Sequence, residues 1–125
     1  MLSRLKSLFQ KWLEIPNGTP SYMIYLGRDI PKESPLDFNY VTDEKINDFL
    51  NEQPYFDSFT IWYAAGAWKA KREDTVVVEV FDTELDIIKM FAQLYADTYT
   101  QEAVYIKATY TYTTLIKGEQ LNASN

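Results

Sequence analysis

Apolar positions along the chain change their period several times, and each change predicts an element. Over residues 1–15 (MLSRLKSLFQKWLEI), Leu2, Leu5, Phe9, Trp12 and Leu13 recur at spacings of three and four, the period of a short amphipathic helix with basic residues on its other face. Pro16, Asn17, Gly18 and Pro20 end it in a turn. Residues 21–27 (SYMIYLG) are densely aromatic and aliphatic, which predicts a first strand, and residues 28–41, with Pro31, Pro35 and mixed charge, predict a surface loop. Thr42 then stands as the N-cap of a helix with Asp43 and Glu44 at the positive end of its dipole, Ile46, Phe49 and Leu50 as its buried stripe and Pro54 as its stop.

Residues 56–69 (FDSFTIWYAAGAWK) return to strand chemistry, interrupted by Ala64, Ala65 and Gly66; a glycine there predicts a bulge or a close approach to the backbone. After a basic turn at Lys69, Lys71 and Arg72, residues 75–81 (TVVVEVF) are apolar on both faces, as a central strand is. Asp82 or Thr83 is the expected cap of a second helix, with Leu85, Ile88, Phe91, Tyr95 and Tyr99 along one face and Ala92 beside them. Residues 103–116 (AVYIKATYTYTTLI) alternate as one long strand, Val104, Ile106, Ala108, Tyr110 and Tyr112 on one side and Tyr105, Lys107, Thr109, Thr111 and Thr113 on the other. At roughly 45 Å this strand is longer than a small sheet needs, so its end is expected to pair with another subunit.

The order after the leader is β-α-β-β-α-β, which predicts an α+β, ferredoxin-like antiparallel sheet with both helices on one face. The expected organisation is a leader helix and turn over 1–20, the ferredoxin-like domain over 21–117 and a frayed tail over 118–125. Twenty of 125 residues are Phe, Trp or Tyr, more than one helix-covered face requires, so a homo-oligomer closing over the open sheet face is expected, with a leader helix folded onto that face as the competing arrangement. The leader itself fits a docking helix for a membrane surface or partner chain, or more plainly a helix lying on its own domain or oligomer.

Composition narrows the chemistry. The chain has no cysteine and no histidine, which removes disulfides, thiol nucleophiles, the usual neutral-pH proton shuttle and nearly every soft or imidazole metal site. Net charge is −6, with +2 on the first fourteen residues and −8 on the remaining 111. An acidic body argues against nucleic-acid partners and favours cationic ligands, while acidic mimicry of DNA stays open. No uninterrupted apolar run occurs in the leader, so neither a secretory core nor a membrane span is expected there.

No phosphate loop, nucleophile elbow or metal-spaced carboxylate cluster is present; what remains is a constellation. Gly66 and Trp68 lie near the end of the second strand, Glu73 just before the third, and Gln101 and Glu102 just before the fourth. A carboxylate, an amide and an aromatic ring suit a cationic or purine ligand, with stacking or cation–π attraction of ~0.5–2 kcal/mol. Glu73 and Gln101 need not meet within one chain, and a subunit interface is where they are expected to do so. The plainer readings pair Glu73 with Arg72 or Lys71 in a solvated turn, put Trp68 in the core and leave Gln101 and Glu102 on a helix surface.

Two resemblances follow from these segments. YLGRDIP, GAW, REDTVVVEV and YADTYTQEAVYI, spanning residues 22–107, resemble the uncharacterised bacterial family called domain of unknown function 3574. Residues 56–107 also resemble the S-adenosylmethionine lyases of bacteriophages, with Gly66 and Trp68 at that family's Gly-x-Tyr, Glu73 at its glutamate before a Thr-Val-x-Val strand, and Gln101 at the polar residue after its second helix. Trp68 replaces the tyrosine, and the segment from Trp68 to Glu73 is shorter than in the lyases. The second resemblance implies a bacterial cytoplasmic enzyme, with no cofactor beyond S-adenosylmethionine as substrate, that forms homo-oligomers, trimers before dimers. It implies Glu73 and Gln101 as catalytic residues and Tyr63, Gly66, Trp68 and Glu102 as substrate contacts, with Glu73 a ribose or sulfonium contact and Tyr63 a substitute hydroxyl. The alternative expectation is a non-catalytic ligand-binding or acidic interaction module of the same fold.

Overall fold

The computed structural model describes residues 20–110 and 116–118. The predicted leader helix, residues 111–115 of the predicted last strand and the tail from 119 lie outside the described residues; within them that strand is shorter than expected, Tyr105–Thr109, and residues 103, 104, 110 and 116 are not part of it. Thr19–Tyr110 make one compact unit. Its elements are β1 (Ser21–Gly27), α1 (Asp43–Glu52), β2 (Thr60–Trp68), β3 (Lys71–Val80), α2 (Leu85–Thr98) and β4 (Tyr105–Thr109), and the sheet order is β2-β3-β1-β4 with every neighbouring pair antiparallel. This is the α+β architecture expected, and its strand order is that of a ferredoxin-like sheet.

Strand alternation explains which side the helices occupy. Tyr22, Ile24 and Leu26 of β1 stand opposite Val80, Val78 and Val76 of β3, and all six are buried. Onto them α1 brings Ile46, Phe49 and Leu50, and α2 brings Ile88, Phe91, Ala92 and Tyr95. Phe49 is the hub, with ring centroids 5.5 Å from Phe91, 5.3 Å from Tyr95 and 5.9 Å from Tyr99. Tilted and edge-on aromatic pairs add about 0.5–1.5 kcal/mol each beyond the area they bury. Nine of the twenty aromatic residues belong to or pack against this core, while Trp62, Tyr63, Phe81, Tyr105 and Tyr110 stay exposed.

Several expected boundaries are corrected. Thr42 caps α1 as predicted, accepting from the Lys45 N–H at 3.3 Å. The N-cap of α2 is Glu84, with no side-chain cap bond, instead of Asp82 or Thr83; Asp82 has a φ of 55° and is spent on the turn leaving β3. Leu85 therefore begins the helix and is 40% exposed rather than buried. β2 runs through Ala64, Ala65 and Gly66 in unbroken register with β3, from Thr60 opposite Glu79 to Trp68 opposite Lys71, so there is no bulge. β3 starts at Lys71, four residues before the predicted strand, because the hairpin pairs it as far as the turn; Glu73 lies inside this strand and not ahead of it.

The β2–β3 turn is only two residues long. Lys69 and Ala70 have φ values of 51° and 63°, the left-handed pair that a primed hairpin turn demands. Neither is the glycine or asparagine that tolerates this conformation cheaply.

Candidate functional site

Topology brings the chemistry-bearing residues to one end of the sheet. β3 and β4 are both antiparallel to β1 and so run the same way. The starts of β3 and β4 and the ends of β1 and β2 therefore share one edge, and Gly27, Trp68, Glu73 and the approach to β4 converge there. A cavity of about 850 Å³ opens at this edge, within the size range of small-molecule sites, and Gly66, Trp68, Glu73, Gln101 and Glu102 all line it. One chain supplies all five, which corrects the expectation that Glu73 and Gln101 meet across a subunit interface.

Tyr63 is the exception. It stands opposite Val76 on the helix-covered face, where its ring lies 5.2 Å from the Arg28 guanidinium. Period-two alternation sends residues 62, 64, 66 and 68 to the cavity side and 63 to the other, so Tyr63 cannot supply a hydroxyl to this cavity. Its company is structural. Arg28 is buried, donates to Val41 O at 2.8 Å, pairs with Asp43 at 2.5 Å and also lies over the Tyr40 ring, tying the 29–40 loop to the start of α1.

The cavity floor is built around Gly27. An added Cβ there would clash with Glu73 Oε1 and lie 2.8 Å from Gln101 Oε1, so a larger residue would force these two side-chain ends to move from where they stand. Gly66, where a close approach was expected, has nothing nearer than Thr75 Oγ1 at 3.5 Å; the crowded glycine is Gly27. Glu73 is half-buried, and its pKa is raised, first by burial and then by the nearby Asp29 carboxylate, while the Asp29 backbone N–H opposes the shift. It forms no ion pair with Lys71 or Arg72; the pairs among the described residues are Arg28–Asp43 and Lys69–Glu102.

Gln101 owes its place to the way α2 ends. Thr100 adopts a φ of 53°, and the Gln101 N–H returns to Ala96 O at 2.9 Å, the closing bond of a Schellman turn. Contact with Ser34 Oγ at 2.7 Å holds the Thr100 hydroxyl. The Gln101 side-chain nitrogen donates to Asp29 O at 2.9 Å and to Tyr99 O at 3.1 Å, which leaves its oxygen facing Gly27.

A clasp crosses the mouth. Glu102 accepts from Trp68 Nε1 at 3.2 Å and from Lys69 Nζ at 2.7 Å, and these two donors, the lysine first, lower its pKa. The Trp68 ring meets Tyr105 edge-on at 5.6 Å. β2 and β4 are the two outer strands, so the hairpin tip arches over the sheet to reach the approach to β4. Lys32, Lys71 and Lys107 line the cavity as well and are exposed, beside the exposed Glu33 and Glu102, so its outer part carries charges of both signs.

Gly27, Asp29, Tyr105 and the rim lysines Lys32, Lys71 and Lys107 are the site residues that sequence reasoning missed. A lone glycine closing a strand of otherwise large residues was the available signal for the first. Among the described residues no three acidic side chains gather as a metal site, and no helix is long and apolar enough to cross a membrane. Set against protein-family models, curated proteins and solved structures, the chain matches none.

Proposed function

We propose that this chain is an S-adenosylmethionine lyase, converting its substrate to methylthioadenosine and homoserine lactone. The observation that carries the reading is the pair of acceptor oxygens from Glu73 and Gln101 above Gly27, in a cavity walled by the Trp68–Tyr105 ring pair. Such a substrate has donor groups and a positive charge for the floor and a purine for the rings.

In the reaction the substrate's own carboxylate oxygen bonds to its γ-carbon. The bond from that carbon to sulfur breaks, and its electron pair stays on sulfur. The carboxylate and sulfonium charges cancel and no proton moves, so a chain without histidine or cysteine is chemically sufficient. The protein supplies orientation, which for a well-aligned intramolecular pair is worth up to about 7–11 kcal/mol, and a site from which water is partly excluded.

Glu73 is a binding group here, not a base. A carboxylate pressed against the sulfonium would stabilise the ground state more than the transition state, where that charge is vanishing, so Glu73 serves a different part of the substrate. Trp68, in place of the lyase tyrosine, contributes a stacking face. Assembly as a homo-oligomer, a trimer before a dimer, and a cytoplasmic location in a bacterial host belong to the same proposal.

Purified protein incubated with S-adenosylmethionine is expected to release methylthioadenosine and homoserine lactone, with turnover lost in Glu73→Gln while the fold is kept. Saturable binding without product would overturn the lyase assignment in favour of a ligand-binding module. Unchanged turnover in Glu73→Gln would move the site elsewhere.

A further inference from the structure

We infer that the floor of this cavity is a receptor for a primary ammonium group, with Glu73 Oε1 and Gln101 Oε1 as two arms closing over Gly27 on the amino group of a small-molecule ligand. For S-adenosylmethionine the group held would be its α-ammonium, and that identification rests on the lyase reading; the receptor itself rests on the geometry of the floor.

The argument begins with the amide. Both hydrogens of the Gln101 side-chain nitrogen are committed, one to Asp29 O and one to Tyr99 O, and its backbone N–H is committed to Ala96 O. Gln101 can therefore offer the cavity an acceptor only. The other arm is a carboxylate that accepts from the Asp29 backbone N–H and from no side chain among the described residues. The two oxygens lie within about 5 Å of each other, given their positions around the same Cβ site. A tetrahedral ammonium donating at ~2.8 Å to two acceptors separates them by about 4.6 Å, a separation that this upper bound admits.

Competing donors fit less well. A single hydroxyl has one hydrogen and reaches one arm. A diol reaches both but brings no positive charge, and the floor holds a partly buried carboxylate with the Asp29 carboxylate nearby, a field that favours a cation. Outside the floor the exposed Lys71 and Lys107 stand on the same sheet face as Glu73 and offer positive charge to an anionic group. A zwitterionic ligand would enter amine first, with its anionic part toward the rim. Gly27 is the specificity-determining residue in this arrangement, because a side chain there displaces one or both arms from the positions that face each other across it.

The test uses the whole chain and butylamine, with 1-butanol and 1,2-butanediol as uncharged controls, while the Glu73 carboxyl carbon is followed by NMR through a pH titration. Butylamine is expected to shift that resonance saturably and to bring its titration to lower pH, and neither alcohol should do so. Gly27→Ala and Gln101→Leu, each checked for folding by its amide spectrum, should weaken the butylamine effect at least about tenfold. No butylamine response in the wild-type chain, an equal response to the diol, or a response undiminished in Gly27→Ala would overturn the receptor. Methylthioadenosine release without the amine response would remove the receptor and leave the lyase; the amine response without release would do the reverse.

Discussion

The hydroxyl of Tyr95 donates to the carbonyl oxygen of Gly27 at 2.6 Å, joining the buried face of α2 to the floor of the cavity. Tyr95 is fully buried, and burial raises its pKa far above the ordinary phenol value, so it stays a donor at any physiological pH. Tyr95→Phe keeps the ring that packs on Phe49 and Tyr99 and removes only this bond. We expect a loss of about 1 kcal/mol in urea unfolding, with a larger proportional loss of ligand affinity, because the freed carbonyl belongs to the residue under both acceptor arms. An unchanged unfolding midpoint would show that the bond contributes nothing.

Glu73 predicts a stability cost that depends on pH. Its pKa is raised in the folded chain above the ordinary carboxylate value, chiefly by burial. The folded state thus holds this proton more tightly than the unfolded one. The resulting stabilisation is complete below the unfolded pKa and is lost as pH rises through the folded value. Glu73→Gln should therefore have the higher Tm at pH 7, and the advantage should disappear near pH 4. A variant less stable than wild type at pH 7 would mean that the carboxylate is held by interactions that outweigh its burial.

The hairpin turn predicts a stabilising change at the cavity mouth. Ala70 sits at a φ of 63°, where a Cβ is unfavourable by about 1 kcal/mol or more. Ala70→Gly should raise stability by roughly 0.5–1 kcal/mol, since relief of this conformation exceeds the extra freedom glycine gives the unfolded chain. Calorimetry reads this directly, and a lower Tm would mean that the turn relaxes in solution.

How much of this was legible in the sequence follows from the range of each signal. The α1 stripe of Ile46, Phe49 and Leu50, its Thr42 cap and the central place of the valine-rich strand come from local periodicity, and the structure has them as expected. The cluster of Gly66, Trp68, Glu73, Gln101 and Glu102 at one edge depends on the direction of β3 relative to β4, which follows from the strand order rather than from any local motif. Tyr63 is a cavity contact only by the resemblance; strand alternation puts it on the face opposite Trp62 and Ala64, beside Arg28. The crowding at Gly27 involves residues 46 and 74 positions away, and no local pattern reports a contact of that separation. The early start of β3 was hidden because Lys71, Arg72 and Glu73 are charged, while the hairpin register that pairs them is set by a turn lacking the usual residues.

The arrangement of strand ends gives the unit two unlike poles. Every segment that shapes the cavity, the 28–42 loop, the Lys69–Ala70 turn and the 99–104 connection, emerges at one of them. The segments at 53–59 and 81–84 emerge at the other, a full strand length away. A reporter group or an inserted peptide joined at residues 81–84 would sit at the antipode of the binding floor, which makes that turn the natural attachment point for immobilising or labelling the protein while its pocket remains in working order.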